Sequence, residues 1–349
     1  MSTTYHAVAW NPLKRRYDLI AGGTVLSFLA VGMATQAALR PELTVETLLI
    51  RSLGAASFTL LHVILCIGPL ARLDRRFLPL LYNRRHLGVM MFTLALAHGL
   101  FSIVQFHSFG TLDPLVSVLV GNSHYVSLAQ LPFQPFGLAA LLILFLMAAT
   151  SHDFWLHNLS APVWKTLHMG VYFAYGSILL HVVFGVMQGE AGYGLGLALV
   201  AGAAAVFTVQ LLAARQEAAR DVEHVSARPD GFVDVCAVHD IPEKRAFVTC
   251  LSGERVAVYR YDGRVSAISS VCQHQNGPLG EGRIVQGCVV CPWHGYEYDP
   301  ATGAAPPPFT EKVPTFDVRV SAGRVLVHPQ PHPAGTRVEP ALWSAARTA

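Results

Sequence analysis

CQHQNGPLGEG at 272–282 and CVVCPWHGYEYDPATG at 288–303 decide how the C-terminal third of this chain folds. Each stretch holds one Cys and one His close together. Cys272 and His274 are separated by a single residue, Cys291 and His294 by two, and 16 residues lie between the pairs. Mirrored pairs of this kind hold a metal centre. Structural zinc is one occupant, but zinc pairs use spacings of two or more residues. A [2Fe–2S] centre in which two Cys hold one iron and two His the other draws one ligand of each kind from each loop. The spacing therefore points to such a centre, with Cys272, His274, Cys291 and His294 as its ligands.

The flanks read as short strands: FVDVCAV, AFVTCL, ERVAVYRY and RVSAIS before the motifs, FDVRV and RVLVHP after them. Ser252-Gly253, Asp262-Gly263 and Ala322-Gly323 are turn signals between them. Residues 231–329 thus form a small antiparallel β domain, with 330–349 as a partly ordered tail. On the two motifs and the following Pro306, Pro307 and Pro308, this region resembles the Rieske family. The resemblance implies Cys272 and Cys291 on a buried iron, and His274 and His294 on an outer iron near the surface. Rieske proteins of quinol-oxidising cytochrome bc complexes carry two further cysteines that form a disulfide between the loops. Those places here are Gly277 and Trp293, so the loops look like the ferredoxin type of oxygenase electron-transfer chains. That implies a lower potential within the range of about −150 to +300 mV. Tyr296 stands where the high-potential branch has Ser, which removes one hydrogen bond to a sulfide, while Tyr298 keeps the other phenolic contact. Cys288 makes C-V-V-C with Cys291 and is expected to pack in a neighbouring strand.

Upstream the composition changes. The chain of 349 residues is 52% hydrophobic and 13% charged, against roughly 25% charged in soluble domains, and the shortfall lies between residues 17 and 213. A bilayer span needs about 20 apolar residues. Six candidates run at 18–39, 45–71, 86–108, 134–150, 163–187 and 192–213, the second with its core at 52–71. Segment 1–17 has no cleavage site of a signal peptide, and the charged stretch 214–230 is a linker that continues the last helix. With six spans, Lys14, Arg15, Arg16, Arg72, Arg75, Arg76, Arg84, Arg85 and Lys165 share a side with both termini, and Arg40 and Arg51 lie opposite. By the positive-inside rule, the N- and C-termini are expected to be cytoplasmic and the protein to sit in the cell inner membrane. The connection 109–133 carries no Lys or Arg and reads as re-entrant or interfacial. Net charge is +3, with no basic face for nucleic acid. The scattered cysteines outline no disulfide framework, and no internal repeat is evident.

Ionisable residues within spans are functional by default. His86 and His98 lie 12 residues apart in one span, His168 and His181 13 apart in another, which sets each pair about 18–20 Å apart along the normal. His86 and His168 then share one depth, His98 and His181 another, as two stacked bis-histidine b-haems would need. Within each span the two histidines point about 120–140° apart, so a tilt or kink is required. His62 is a rival ligand at roughly the depth of His98, and His107 and His124 are boundary residues at the far surface. IGPLARL (67–73), RRHLGVMMFTLALAH (84–98) and WKTLHMGVYFAYGSILLH (164–181) resemble the ferric-reductase-like transmembrane domain over residues 45–213. That family includes the haem subunit of the bacterial methionine sulfoxide reductase system and the NADPH oxidases. The resemblance implies haem ligation by His98, His168 and His181. Near His86 the bacterial subunit has Arg, for which Arg84 stands as the alternative.

These expectations combine into a membrane all-α six-helix haem-binding bundle followed by a small all-β Rieske domain, with domains at 18–213 and 231–329. One [2Fe–2S] cluster and one or two b-type haems are the cofactors. No G-x-G-x-x-G opens a helix after a strand, so no direct NAD(P)H or flavin site is expected, and a soluble flavoprotein reductase or ferredoxin is the expected partner at the Rieske domain, with membrane lipid and a quinone as the others. The expected function is an electron-transfer oxidoreductase that reduces an acceptor at the far face or a quinone. The alternative is a relay subunit carrying electrons from quinol to a soluble oxygenase. A single-chain Rieske oxygenase needs a further large domain with a mononuclear iron, and about 20 residues follow the Rieske region.

Overall fold

Hydropathy divides the chain, and so does its packing. The computed structural model describes residues 12–81, 84–121, 131–151, 155, 159, 161–185, 193–221, 228–274, 277–292, 295–307 and 309–343. Two compact units part between Leu211 and Leu212. His124, Trp293, His294 and the terminal segments 1–11 and 344–349 lie outside the described residues.

The first unit is helical: α1 (Pro12–Leu39), α2 (Val45–Leu73), α3 (Arg84–His107), α4 (Pro114–Val120), α5 (Gln134–Ala149), α6 (Ala161–Met169), α7 (Val171–Phe184) and α8 (Tyr193–Arg220). Among the described residues, five helices are long and apolar enough to cross a membrane, α6 and α7 together making one of them. The sixth expected span is α5, with 16 residues. At 1.5 Å per residue it is about 24 Å long, short of a hydrocarbon core of about 30 Å. Pro135 sets its start. At its end the Thr150 hydroxyl turns back onto the Leu146 and Met147 carbonyls. The helix around the second span begins earlier than its apolar core, because the Thr44 side chain accepts the Thr47 N–H and caps it. Between α6 and α7 the backbone tightens at Gly170, whose N–H reaches Leu167 three residues back. A Cβ there would meet the Leu167 carbonyl at 2.9 Å and Ile143 at 3.3 Å. The helix is thus interrupted between His168 and His181. In the 109–133 connection, α4 is capped by Asp113 and held to α3 by a His107–Ser117 hydrogen bond of 2.9 Å.

The second unit takes in the last turns of α8, so the charged stretch does continue the helix, to Arg220. Its strands are β1 (Val233–Ala237), β2 (Arg245–Leu251), β3 (Glu254–Tyr261), β4 (Arg264–Ser269), β5 (Arg283–Val285), β6 (Cys288–Val290), β7 (Glu297–Tyr298), β8 (Thr315–Phe316), β9 (Val318–Ser321), β10 (Arg324–Val327) and β11 (Ala341–Leu342). They form three antiparallel sheets: β1-β10-β9, β11-β4-β3-β2 with β8 against β4, and β5-β6-β7. The three expected turns each place two residues at positive φ: Ser252-Gly253, Asp262-Gly263 and Ala322-Gly323. That twist suits a two-residue hairpin. Gln286-Gly287 makes a fourth such turn, joining β5 to β6. One core lies among β1, β3, β4, β9 and β10, with Val256, Val258, Val265 and Val325 fully buried. The other gathers Tyr259, Leu279, Tyr296 and Tyr298 around Cys272 and Cys291.

Candidate metal centres

The first motif pair sits on loops that close the second core. Cys272 follows β4, and its N–H donates to the Gly277 carbonyl at 2.9 Å. Cys291 follows β6, and its N–H donates to the Tyr296 carbonyl at 2.8 Å. The strand pair β6-β7 brings Tyr298 opposite Val289, which folds the second loop back on itself. Cys272 and Cys291 are 1% and 2% exposed and belong to one buried cluster, whereas His274 is only half-buried. Two buried sulfurs and a half-buried imidazole on neighbouring loops are donors of the two kinds that the mixed-ligand cluster takes. Among the described residues, no three His, Cys, Asp or Glu side chains converge for a single ion.

The Tyr298 hydroxyl accepts the Gln273 N–H at 3.1 Å and lies 3.4 Å from the Cys272 sulfur. A metal-bound Cys272 thiolate would have no proton to give, so in that state the Tyr298 O–H would be the donor of this contact. Burial and the adjacent Cys272 raise the phenol well above its ordinary value, so it remains an O–H donor. Among the described residues Tyr296 shows no hydrogen bond to a sulfur. It stacks on His274 with centroids 4.9 Å apart and planes within 10°, and its hydroxyl donates to Glu311. Cys288 lies in β6 opposite Val285, and burial raises its thiol. None of the six cysteines forms a disulfide.

In the membrane unit the structure brings His98 and His181 together, with centroids 6.2 Å apart and rings at 86°. An imidazole nitrogen sits about 2 Å from its metal, so two rings on opposite sides of one iron have centroids about 6 Å apart. The pair fits that distance. Each ring is oriented in the same way. His98 Nδ1–H donates to the Ile50 carbonyl at 2.9 Å and His181 Nδ1–H to the Phe133 carbonyl at 3.0 Å, both across 48 residues. This fixes the tautomer that presents Nε2 as a ligand. Four residues after each carbonyl stands a glycine against the ring: a Cβ on Gly54 would meet His98 at 3.0 Å, and one on Gly137 would meet His181 at 2.7 Å. The two helix pairs α2–α3 and α5–α7 thus repeat one device, a structural repeat not evident in the sequence.

The other histidines differ. His168 is bound within its own helix, Nδ1 to the Trp164 carbonyl at 3.1 Å. Its ring stacks on Trp164 at 3.8 Å, and Nε2 is 3.5 Å from Ser151. His86 Nδ1 pairs with Asp18 at 2.8 Å, a partner the sequence reading missed, and no ring contact joins His86 to His168 among the described residues. Arg84 packs its guanidinium against Gly68. The expected depth of His62 is corrected. His98 meets α2 at Ile50 and Gly54, whereas His62 lies at least 8 residues further along, about 12 Å. There His62 donates to the Phe58 carbonyl and accepts from the Tyr175 hydroxyl at 3.0 Å.

Residues 231–317 match the Rieske [2Fe-2S] domain, and residues 53–179 match the ferric reductase like transmembrane component. The ferredoxin component of the alkene monooxygenase system of Xanthobacter autotrophicus is 30% identical over 103 residues, 29% of this chain and 84% of that protein. The ferredoxin component of the naphthalene 1,2-dioxygenase system of Pseudomonas aeruginosa is 27% identical over 97 residues, 28% of this chain and 93% of its own length. Among solved structures, the ferredoxin of carbazole 1,9a-dioxygenase from Nocardioides aromaticivorans IC177 is 28% identical, with 28% of this chain and 98% of that chain covered at a TM-score of 0.27.

Proposed function

Because this chain belongs to the Rieske [2Fe–2S] family and carries a ferric reductase like transmembrane component, we propose that this multi-pass membrane oxidoreductase accepts electrons from a soluble protein at its Rieske domain and delivers them to an acceptor at the far face or to a quinone. The observation that carries the membrane half of this reading is the 6.2 Å separation of the His98 and His181 rings. When bound, a [2Fe–2S] cluster and a b-type haem supply one-electron carriage.

The polypeptide supplies ligands and their surroundings. Cys272 and Cys291, both in the buried core, would hold one iron, and His274 and His294 would hold the other. His98 and His181 hold one haem, their Nδ1–H groups anchored on Ile50 and Phe133 so that neither ring turns. His168 serves a second haem toward the other end of the span, with His86 or Arg84 as its partner. Asp18 holds the His86 ring by accepting its Nδ1–H, the outer-shell arrangement of many metal-bound histidines. The excess of Arg and Lys on one side sets the termini and the Rieske domain in the cytoplasm of a cell whose inner membrane holds the spans. The donor is then a soluble flavoprotein reductase or ferredoxin.

An anaerobic titration of the purified full chain with a reduced soluble ferredoxin tests the direction. Cluster and haem absorbance should both shift to the reduced form; reduction of the cluster with the haem left oxidised would refute the route. A second reading, in which the chain relays electrons from quinol to a soluble oxygenase, is favoured by the relatives that are ferredoxin components of oxygenase systems. Quinol should then reduce the cluster in intact membranes, and an oxygenase should co-purify in mild detergent.

A further inference from the structure

Tyr296 lies outside the ligand set, yet the segments that enclose the ligands meet on it. Its ring is 2% exposed. From the first loop, His274 stacks on its face at 4.9 Å. Within the second loop, its own carbonyl accepts the Cys291 N–H, and its ring lies 5.4 Å from Tyr298, whose hydroxyl reaches Cys272. From the Pro-rich segment, Phe309 meets the ring edge-on at 5.1 Å. Glu311 accepts the Tyr296 hydroxyl and also the Thr310 N–H. No disulfide does this joining. A histidine ring turns easily about its last torsion, and His274 is half-buried. A flat ring pinned at its hydroxyl and at its edge removes that freedom from the imidazole lying on it.

We propose that Tyr296, pinned by Glu311 and Phe309, is a positioning residue that ties the three cluster-enclosing segments together and sets the plane of the His274 ring. The proposal rests on His274 being a cluster ligand. Two readouts on the full chain in detergent test it: the width of the reduced cluster's EPR signal, and the rate at which iron is lost to a chelator. Tyr296→Phe keeps the stack and loses the tie. It should broaden the signal and shed iron about fivefold faster, the scale of one net hydrogen bond. Glu311→Ala should match it, Glu311→Gln should stay near wild type, and the double variant Tyr296→Phe/Glu311→Ala should be no worse than either single change. Val325→Ala opens a cavity in the opposite core and should leave the signal width unchanged. Wild-type behaviour of Tyr296→Phe, additive single effects, or equal broadening by Val325→Ala would each overturn the proposal. A wild-type signal that is not of the mixed His/Cys kind would instead overturn the ligand assignment beneath it.

Discussion

At the scale of single residues, hydrogen bonds decide what each candidate ligand can do. A hydrogen bond to a cluster sulfur favours the reduced, more negative form. Tyr298→Phe removes the one seen at Cys272. Taking about 1 kcal/mol net for it and 59 mV per tenfold for one electron, the potential should fall by about 40 mV in a redox titration followed by EPR. The glycines against the haem candidates make an ordered prediction. A Cβ on Gly137 would stand 2.7 Å from His181 Nδ1, closer than the 3.0 Å from a Cβ on Gly54 to His98. Gly137→Ala should therefore lose most of its haem in a pyridine haemochrome assay, and Gly54→Ala less. Spacing singled out Cys272, His274, Cys291 and His294 as one candidate ligand set and His86, His98, His168 and His181 as another. Asp18, Ile50 and Phe133 were not legible, because their partners lie 68 or 48 residues away in sequence. A carbonyl acceptor leaves no signature at all.

At the scale of elements, turns and caps carry the prediction. Gly303 has φ +66, and a Cβ there would stand 2.2 Å from the Val313 carbonyl. Its own carbonyl accepts the Val313 N–H, which holds the strap after the second motif. Gly303→Ala should destabilise the β unit by about 2–4 kcal/mol, combining left-handed strain with overpacking, as read by thermal melting followed through cluster absorbance. The end of α8 is tied to β3 within the second unit: Arg255 donates to both Asp221 oxygens and to Glu217. Arg255 holds the Asp221 carboxyl below its usual value. A depressed carboxylate stabilises the fold fully above its unfolded value, near pH 4, and loses that contribution as pH falls further. For so exposed a pair the contribution is at most about 1 kcal/mol. Arg255→Gln should speed hydrogen exchange of the amides around 212–221 at pH 7, and the difference from wild type should shrink on acidification. The six long strand runs were legible from alternation and turn residues. β5, β6, β7, β8 and β11 were not, since elements of two or three residues exist only through the strands that flank them.

At the scale of the whole molecule, the chain combines a β unit that carries a cluster with a helical unit that carries paired histidines. A count of iron, acid-labile sulfide and haem on purified protein tests that composition. If His168 serves a second haem, two haems per cluster are counted and His168→Ala removes one while the His98–His181 haem stays; one haem per cluster would take His168 and His86 out of the ligand set. The sequence by itself determined the class of both units. Ligand spacing within one loop is a local property, and a long apolar run must be buried or span a bilayer wherever it lies. Only the tertiary structure decided which intramembrane histidines face each other, and that His62 binds a tyrosine instead. It also decided that Tyr296 stacks on His274 while Tyr298 lies against the Cys272 sulfur. Those outcomes depend on helix azimuth and on loops meeting across long separations, and a kink at one glycine or a two-residue strand is enough to redirect a side chain that periodicity alone would misplace.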